Sequence, residues 1–389
     1  MSSHHPTRRD AICCVGAFAA TLAGAGCRTR PSVAGAGDDT FQPGRFLWLR
    51  HGGRDVIRKF SGTGFTADSP FRVASISKLA TAMTAHALAR EGRIDLDADV
   101  QPLLPAPFRH PRYPGTPITL AHLLSHRAGL TDPPEYWVPA PGSISVLMTP
   151  DIFAADAEPG RFFRYSNLGY SLAATAMEAA TGQRFDRLAN DLVLSRLDMD
   201  AGFNWSSVSE RLRRLGTALY RGEPGRWTAQ VDADISVSGP IILSESDYDL
   251  STYVPGTNGT LFSPQGGLRM SPRDLMALGA ALPIVEAFRT PVWDATTDPG
   301  DTADGHFQSF GLGNYIYPAD RSPVPGVRLI GHAGEAYGFY GGVWAAPDHA
   351  LVFGFGVLGS PEGGIPMTGG RPNLRTSSRQ FFNQVAAIL

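Results

Sequence analysis

The pattern of hydrophobic and polar positions predicts strands at both ends of the chain. Two apolar stretches, residues 46–50 and 56–60, flank a short polar segment that contains two glycines, which is typical of a β-hairpin. Toward the other end, further apolar runs bounded by turn residues predict more strands. These runs are residues 311–317, 327–331, 339–346 and 351–357, and a closing helix is predicted over 377–389.

Helical spacing dominates the middle of the chain. Leu79, Met83, Ala87 and Leu88 recur at the spacing of one helix face, so a helix is predicted over residues 71–92, with a glycine at its end. Shorter helices are predicted over 120–125, 168–180 and 185–194.

This order of elements indicates an α+β fold. The two chain termini are expected to form an antiparallel sheet flanked by helices, with a mostly helical lobe inserted between them. The α/β lobe is predicted to take residues 40–80 and 305–389, and the helical lobe residues 81–304. The cleft between the lobes is the expected site.

The first residues are predicted to direct export. Arg8 and Arg9 precede an uncharged run, residues 11–26, that is rich in alanine and glycine and too short to span a membrane. Residues 1–37 are therefore predicted to be a signal peptide and linker, followed by a domain over 38–389. Cys27 could be lipidated as in a bacterial lipoprotein, or the signal could be cleaved at Ala25. The predicted location is the periplasm, free or anchored to the membrane.

Composition narrows the partners and the chemistry. The formal net charge of -2 provides no basic field to attract nucleic acid. The three cysteines, Cys13, Cys14 and Cys27, lie in or beside the signal, so the domain itself is predicted to have no disulfide and no thiol catalyst. His122 and His126 are interpreted as a structural pair, and neither a metal nor another cofactor is expected. The oligomeric state is left open.

Lysine is scarce, which makes each lysine informative. Lys59 and Lys78 are the only lysines among 34 basic residues. Arginine cannot give up its proton in a protein, whereas a buried lysine can act as a base. Ser75 and Lys78 are three residues apart, on one face of the first turn of a predicted helix. This Ser-x-x-Lys pair is a weak signal alone, because Ser75 could simply cap the helix beside a solvated Lys78.

Two further motifs follow in the chain. Tyr165-Ser166-Asn167 precedes the helix predicted from residue 168, and His332-Ala333-Gly334 follows the strand predicted over 327–331. With these three motifs the sequence resembles the penicillin-recognising serine hydrolases, which have a β-lactamase/transpeptidase-like fold. The resemblance covers most of residues 45–357. It is strongest to the branch of class C β-lactamases, D-alanyl-D-alanine carboxypeptidases, D-aminopeptidases and β-lactamase-like esterases.

The resemblance implies a role for each motif residue. Ser75 would be the nucleophile of an acyl-enzyme, with Lys78 and Tyr165 as coupled proton carriers. The backbone N–H groups of Ser75 and Glu335 would bind the oxyanion. Asn167 would bind a substrate amide or orient Lys78. His332 would assist proton transfer around Tyr165, and Gly334 would allow the substrate backbone to approach closely.

Departures from the family pattern favour some substrates over others. Ala333 stands where relatives that bind a terminal carboxylate often carry a hydroxyl, and Glu335 adds negative charge nearby. The preferred prediction is a hydrolase of D-amino-acid amides or peptidoglycan-like peptides, followed by a carboxylesterase and then a β-lactamase. A non-catalytic binding protein on the same fold is the alternative of another class.

Overall fold

The computed structural model describes residues 41–204, 208–230, 249–361 and 364–389. The predicted export segment and Cys27 lie outside these residues. The strands are β1 (Arg45–His51), β2 (Arg54–Ser61), β3 (Phe71–Arg72), β4 (Gly202–Phe203), β5 (Leu219–Glu223), β6 (Arg226–Gln230), β7 (Leu268–Met270), β8 (Trp293–Asp294), β9 (Ser309–Phe310), β10 (Tyr315–Tyr317), β11 (Leu329–Ala336), β12 (Phe339–Ala346), β13 (Leu351–Val357) and β14 (Gly359–Ser360). The helices are α1 (Ser77–Arg90), α2 (Leu120–Leu124), α3 (Leu168–Thr181), α4 (Phe185–Ala189), α5 (Glu210–Leu215), α6 (Pro272–Ala281) and α7 (Thr376–Ala386).

The main sheet joins the two ends of the chain, as predicted. Its eight strands lie in the order β2-β1-β13-β12-β11-β10-β9-β8, and all neighbouring strands are antiparallel. β1 pairs with β13 from Arg45↔Val357 to His51↔Leu351, so the first and last long strands are direct neighbours. The predicted α+β fold, with an antiparallel sheet built from the termini, is confirmed.

The strands of this sheet place apolar side chains on both of its faces. Helices therefore cover each face. On one face, Phe381, Phe382 and Val385 of α7 are buried in a cluster with side chains such as Phe355 of β13. On the other face, Leu275 of α6 is buried in a larger core that continues through α1 and α3. None of the helices in the described ranges is long and apolar enough to cross a membrane.

The segment before the Ser75 motif differs from its prediction. The helix predicted from residue 71 begins only at Ser77, because Phe71–Arg72 pairs with β7 and Ala74–Ile76 forms a 3-10 turn. Ala74 has a φ of 50°, a left-handed conformation that an α-helix cannot continue through. Such a conformation is costly for a residue other than glycine and is typical of a functional turn.

The strand that carries the third motif is longer than predicted. His332, Gly334 and Glu335 lie inside β11 rather than after it, because residues 330–336 all pair with β12. Of the run predicted over 311–317, only Tyr315–Tyr317 forms a strand, β10. β9 precedes the run, and a bend that contains Gly313, whose φ is 115°, separates the two strands. The predicted helix over 185–194 is α4 followed by one π-helical turn, Asn190–Leu194.

Candidate active site

Ser75 lies in the 3-10 turn that leads into α1. Its neighbours Ala74 and Ile76 are buried, while Ser75 itself is partly exposed. The turn is fixed by Ser77, whose hydroxyl donates to the Ala74 carbonyl at 2.6 Å and accepts from the Leu268 N–H at 3.0 Å. The hydroxyl of Ser75 is therefore presented to solvent on a rigid support.

Lys78 lies one helical turn beyond Ser75, with its side chain completely buried. Its Nζ is 3.2 Å from the Ser75 Oγ. Nζ also donates to the Asn167 Oδ1 at 2.7 Å and to the Gln265 carbonyl at 3.0 Å. The amine is thus held between two carbonyl oxygens and one hydroxyl.

Burial changes the protonation of this amine. Loss of hydration disfavours the ammonium and lowers the pKa of Lys78 to about 7, and the carboxylate of Asp132 opposes that shift. Near neutral pH, a large fraction of Lys78 is therefore an uncharged amine with a free lone pair.

Asp132 organises the second motif, although no pattern in the sequence indicates it. Its carboxylate accepts from the Asn167 N–H and from the Leu168 N–H at the start of α3, and from the Ser166 hydroxyl. It also accepts from the Asn167 Nδ2 at 2.9 Å, which turns the Asn167 Oδ1 toward Lys78. No spacing rule connects Asp132 with a motif more than thirty residues later, so only the fold brings them together.

Tyr165 lies beside Lys78, packed among aromatic rings. Its ring stacks on Phe307 with 5.3 Å between centroids, and the Lys78 Nζ lies 4.8 Å from the Tyr165 centroid. Burial raises the pKa of the Tyr165 phenol, and a hydrogen bond with the Ser75 hydroxyl partly opposes this shift. In the resting site the phenol is therefore protonated and within reach of Ser75.

Two buried histidines flank Tyr165. The His126 ring centroid is 4.1 Å from that of Tyr165, and the His332 centroid is 6.4 Å away. Burial and the nearby Lys78 charge lower the pKa of His332 to about 3, and burial lowers the pKa of His126 well below its usual value. Both rings are neutral at pH 7, and neither Nε2 has a hydrogen-bond partner among the described residues.

The remaining predicted residues lie on β11 beside the Ser75 turn. β10 pairs only with residues 329–331 of β11, which leaves residues 332–336 without that neighbour. A Cβ on Gly334 would lie 2.5 Å from the Val73 carbonyl oxygen and 3.1 Å from the Ile76 side chain, so only glycine fits there. Glu335 is next along the strand, and its carboxylate is paired with Arg375.

The structure thus brings the predicted residues of all three motifs into one site. Ser75, Lys78 and Asn167 are connected by hydrogen bonds, Tyr165 and His332 pack beside them, and the strand with Gly334 and Glu335 contacts the Ser75 turn. Across the described ranges, no three His, Cys, Asp or Glu side chains are grouped so that they could hold a metal ion. The chemistry available to this site is that of a serine, an amine and a phenol.

Known proteins share both the sequence pattern and the fold. A family model described as beta-lactamase matches residues 32–361. The D-alanyl-D-alanine-carboxypeptidase/endopeptidase AmpH of Escherichia coli is 31% identical over 166 residues, which cover 40% of this chain and 42% of AmpH. Esterase EstB of Burkholderia gladioli is 28% identical over 207 residues, covering 46% of this chain and 49% of EstB.

The fold has a solved counterpart in the β-lactamase/D-alanine carboxypeptidase of Yersinia pestis. The two superpose with a TM-score of 0.63 at 20% identity, over 90% of this chain and 94% of that one. The chain spans less than half the length of the two curated relatives named above. The family model, however, covers most of the chain. The protein therefore belongs to the β-lactamase family of penicillin-recognising serine hydrolases.

Proposed function

We propose that this protein hydrolyses amides or esters through an acyl-enzyme on Ser75. The observation that carries the proposal is the position of the Lys78 amine, buried against the Ser75 hydroxyl with a pKa lowered to about 7. A serine is a weak nucleophile unless an adjacent base removes its proton. Lys78 is such a base at physiological pH.

The hydrogen bonds of Lys78 direct its lone pair. A neutral amine has two N–H groups, and two carbonyl oxygens, those of Asn167 and Gln265, accept from Nζ. The lone pair is then left for the Ser75 hydroxyl proton. Of the two candidate bases, Lys78 is therefore the first, because the raised pKa of Tyr165 opposes loss of the phenol proton in the resting site.

The rest of the cycle follows from this step. Ser75 Oγ bonds to the substrate carbonyl carbon while its proton passes to Lys78, and the oxyanion is bound by the N–H groups of Ser75 and Glu335. The bond between the carbonyl carbon and the leaving group then breaks as Tyr165 donates its proton to that group, which leaves the acyl group on Ser75 as an ester, and Lys78 reprotonates Tyr165. Water then adds to the ester carbonyl with the same groups as bases, and Ser75 leaves as the alcohol.

Two substrate classes have support. The likeness to AmpH favours D-amino-acid amides or peptidoglycan-like peptides. The likeness to EstB favours a carboxylesterase, and Ala333 with the Glu335 carboxylate also argues against a substrate carboxylate. A non-catalytic binding protein is disfavoured, because it has no need to keep a deprotonatable lysine buried against a serine.

A parallel hydrolysis screen tests the proposal. We expect turnover of a D-alanine nitroanilide or a short-chain nitrophenyl ester, and slower turnover of nitrocefin and a D-Ala-D-Ala peptide, which both carry a carboxylate. The measurement is kcat/KM for all four substrates with one preparation. Turnover of none of the four would contradict the proposed activity, and fastest turnover of nitrocefin would contradict the proposed order.

The activity is expected to depend on pH through Lys78. Its neutral form is the base, so kcat/KM should rise by about tenfold per pH unit on the acid side and level off above the lowered pKa of about 7. The measurement is the pH profile of kcat/KM for a neutral ester, corrected for spontaneous hydrolysis. A profile that is flat through neutrality, or that falls there, would contradict the assignment.

A further inference from the structure

An arginine beside β11, the strand that contacts the Ser75 turn, is already paired with a carboxylate of the protein. Arg375, the residue before α7, donates from Nε to Glu335 Oε2 at 2.8 Å and from Nη2 to Glu335 Oε1 at 2.6 Å. Its third nitrogen, Nη1, donates to the Ile365 carbonyl. Each nitrogen of the guanidinium therefore has an acceptor within the chain.

This ion pair lies at the edge of the active site. Glu335 follows Gly334, whose Cα approaches the Val73 carbonyl at the start of the Ser75 turn. The charges of Glu335 and Arg375 both act on His306, whose ring packs against Phe307. Phe307 in turn stacks on Tyr165, the proposed proton donor to the leaving group. The pair is therefore connected to Tyr165 through His306 and Phe307.

Resting on the proposed function, we propose that Glu335 is a specificity-determining residue that withholds Arg375 from substrate carboxylates. The two-point pairing of Arg375 with Glu335 is the geometry in which an arginine binds any carboxylate. Because Glu335 is held in the same chain, its effective concentration at Arg375 exceeds that of a carboxylate substrate in solution. A leaving group with a carboxylate must displace Glu335 to pair with Arg375, whereas a neutral leaving group needs no such displacement.

Arg375 is more accessible to a substrate carboxylate than a second arginine near the Ser75 turn. The side chains of Glu335 and Arg375 are 48% and 21% exposed, so a substrate can reach both. Arg72, another arginine near the Ser75 turn, is buried under the Tyr337 ring and donates to the Gly266 carbonyl. Arg375 is thus the more accessible of the two guanidinium groups.

Two esters that differ only in charge test the inference. 3-Acetoxybenzoate and 3-acetoxybenzamide release leaving groups of the same shape, with and without a carboxylate. The readout is the ratio of kcat/KM for the charged ester to that for the neutral ester, in which changes common to both cancel. Glu335→Gln keeps the size of the side chain, and we expect it to raise this ratio by at least about tenfold.

Two further variants separate a specificity role from a general disturbance. The double variant Glu335→Gln/Arg375→Gln is expected to lose the gain, because the freed guanidinium is gone. Asp68→Asn breaks a similar two-point pair with Arg273 on the surface and should leave the ratio unchanged. The gain in Glu335→Gln should also shrink in about 0.5 M salt, since an exposed charge pair is screened.

The outcomes distinguish this inference from the proposed function. If the wild type hydrolyses the neutral ester but Glu335→Gln leaves the ratio unchanged, the specificity role is overturned alone. A gain that persists in the double variant overturns it as well. If the wild type hydrolyses neither ester and a fluorophosphonate does not label it, the proposed function is contradicted. The specificity role, which depends on that function, is then contradicted too.

Discussion

Lys78→Arg is expected to lower kcat/KM by at least about 10³-fold, because arginine keeps the positive charge and loses the basicity. In the wild type, the buried amine holds a lone pair against Ser75 at neutral pH. A guanidinium has no lone pair to offer at any accessible pH. The measurement is kcat/KM on the best substrate of the screen, with the circular dichroism spectrum and Tm as checks of folding.

The chain provides a matched control for this substitution. Lys59, the only other lysine, is exposed on β2, and Lys59→Arg should retain activity within about twofold. If a buried guanidinium prevents folding, Lys78→Met is the alternative variant, because it removes the base without introducing a charge. Activity of a folded Lys78→Arg or Lys78→Met protein within tenfold of the wild type would show that Lys78 is not the base.

Ser75→Ala is expected to reduce turnover by about 10⁴-fold or more, because no other group can form the ester intermediate. The neighbours of Ser75 are fixed by the Ser77 hydroxyl, so the turn should survive the loss of one exposed oxygen. Ser61→Ala, at an exposed serine at the end of β2, is the control and should retain activity. Substantial turnover by a folded Ser75→Ala protein would contradict a covalent mechanism.

The larger features of the fold could be predicted because they depend on local patterns. Turn residues separate the apolar runs of β1, β12 and β13. Because these runs lie near both ends of the chain, they indicate a sheet to which both ends contribute. The motifs of Ser75 and Tyr165 each precede a predicted helix, and together with the His332 motif they carry the resemblance that identifies the site. Spacing along one helix also correctly predicted that Lys78 approaches Ser75.

Other features depend on contacts that the sequence does not display. The helix predicted from residue 71 begins only at Ser77 because Ala74 adopts a left-handed conformation, which depends on the tertiary support of the turn rather than on helix propensity. β11 extends to Ala336 because β12 offers pairing partners, although glycines interrupt its apolar pattern.

His126 illustrates the same limit within the site. His122 and His126, which are four residues apart, are interpreted from the sequence as a structural pair. α2 ends at Leu124, and His126 has a φ of 58°, so its ring packs against Tyr165 instead of lining up with His122. Asp132 was missed for a related reason, because its partners at the start of α3 are close only in the folded chain.

Mass spectrometry of a covalent adduct tests the central claim most directly. The folded wild-type protein is incubated with a fluorophosphonate and digested, and the modified peptide is sequenced. We predict one added group per molecule, located on Ser75, and none on the Ser75→Ala protein treated in parallel. An adduct on a different residue, or equal labelling of the Ser75→Ala protein, would contradict the account.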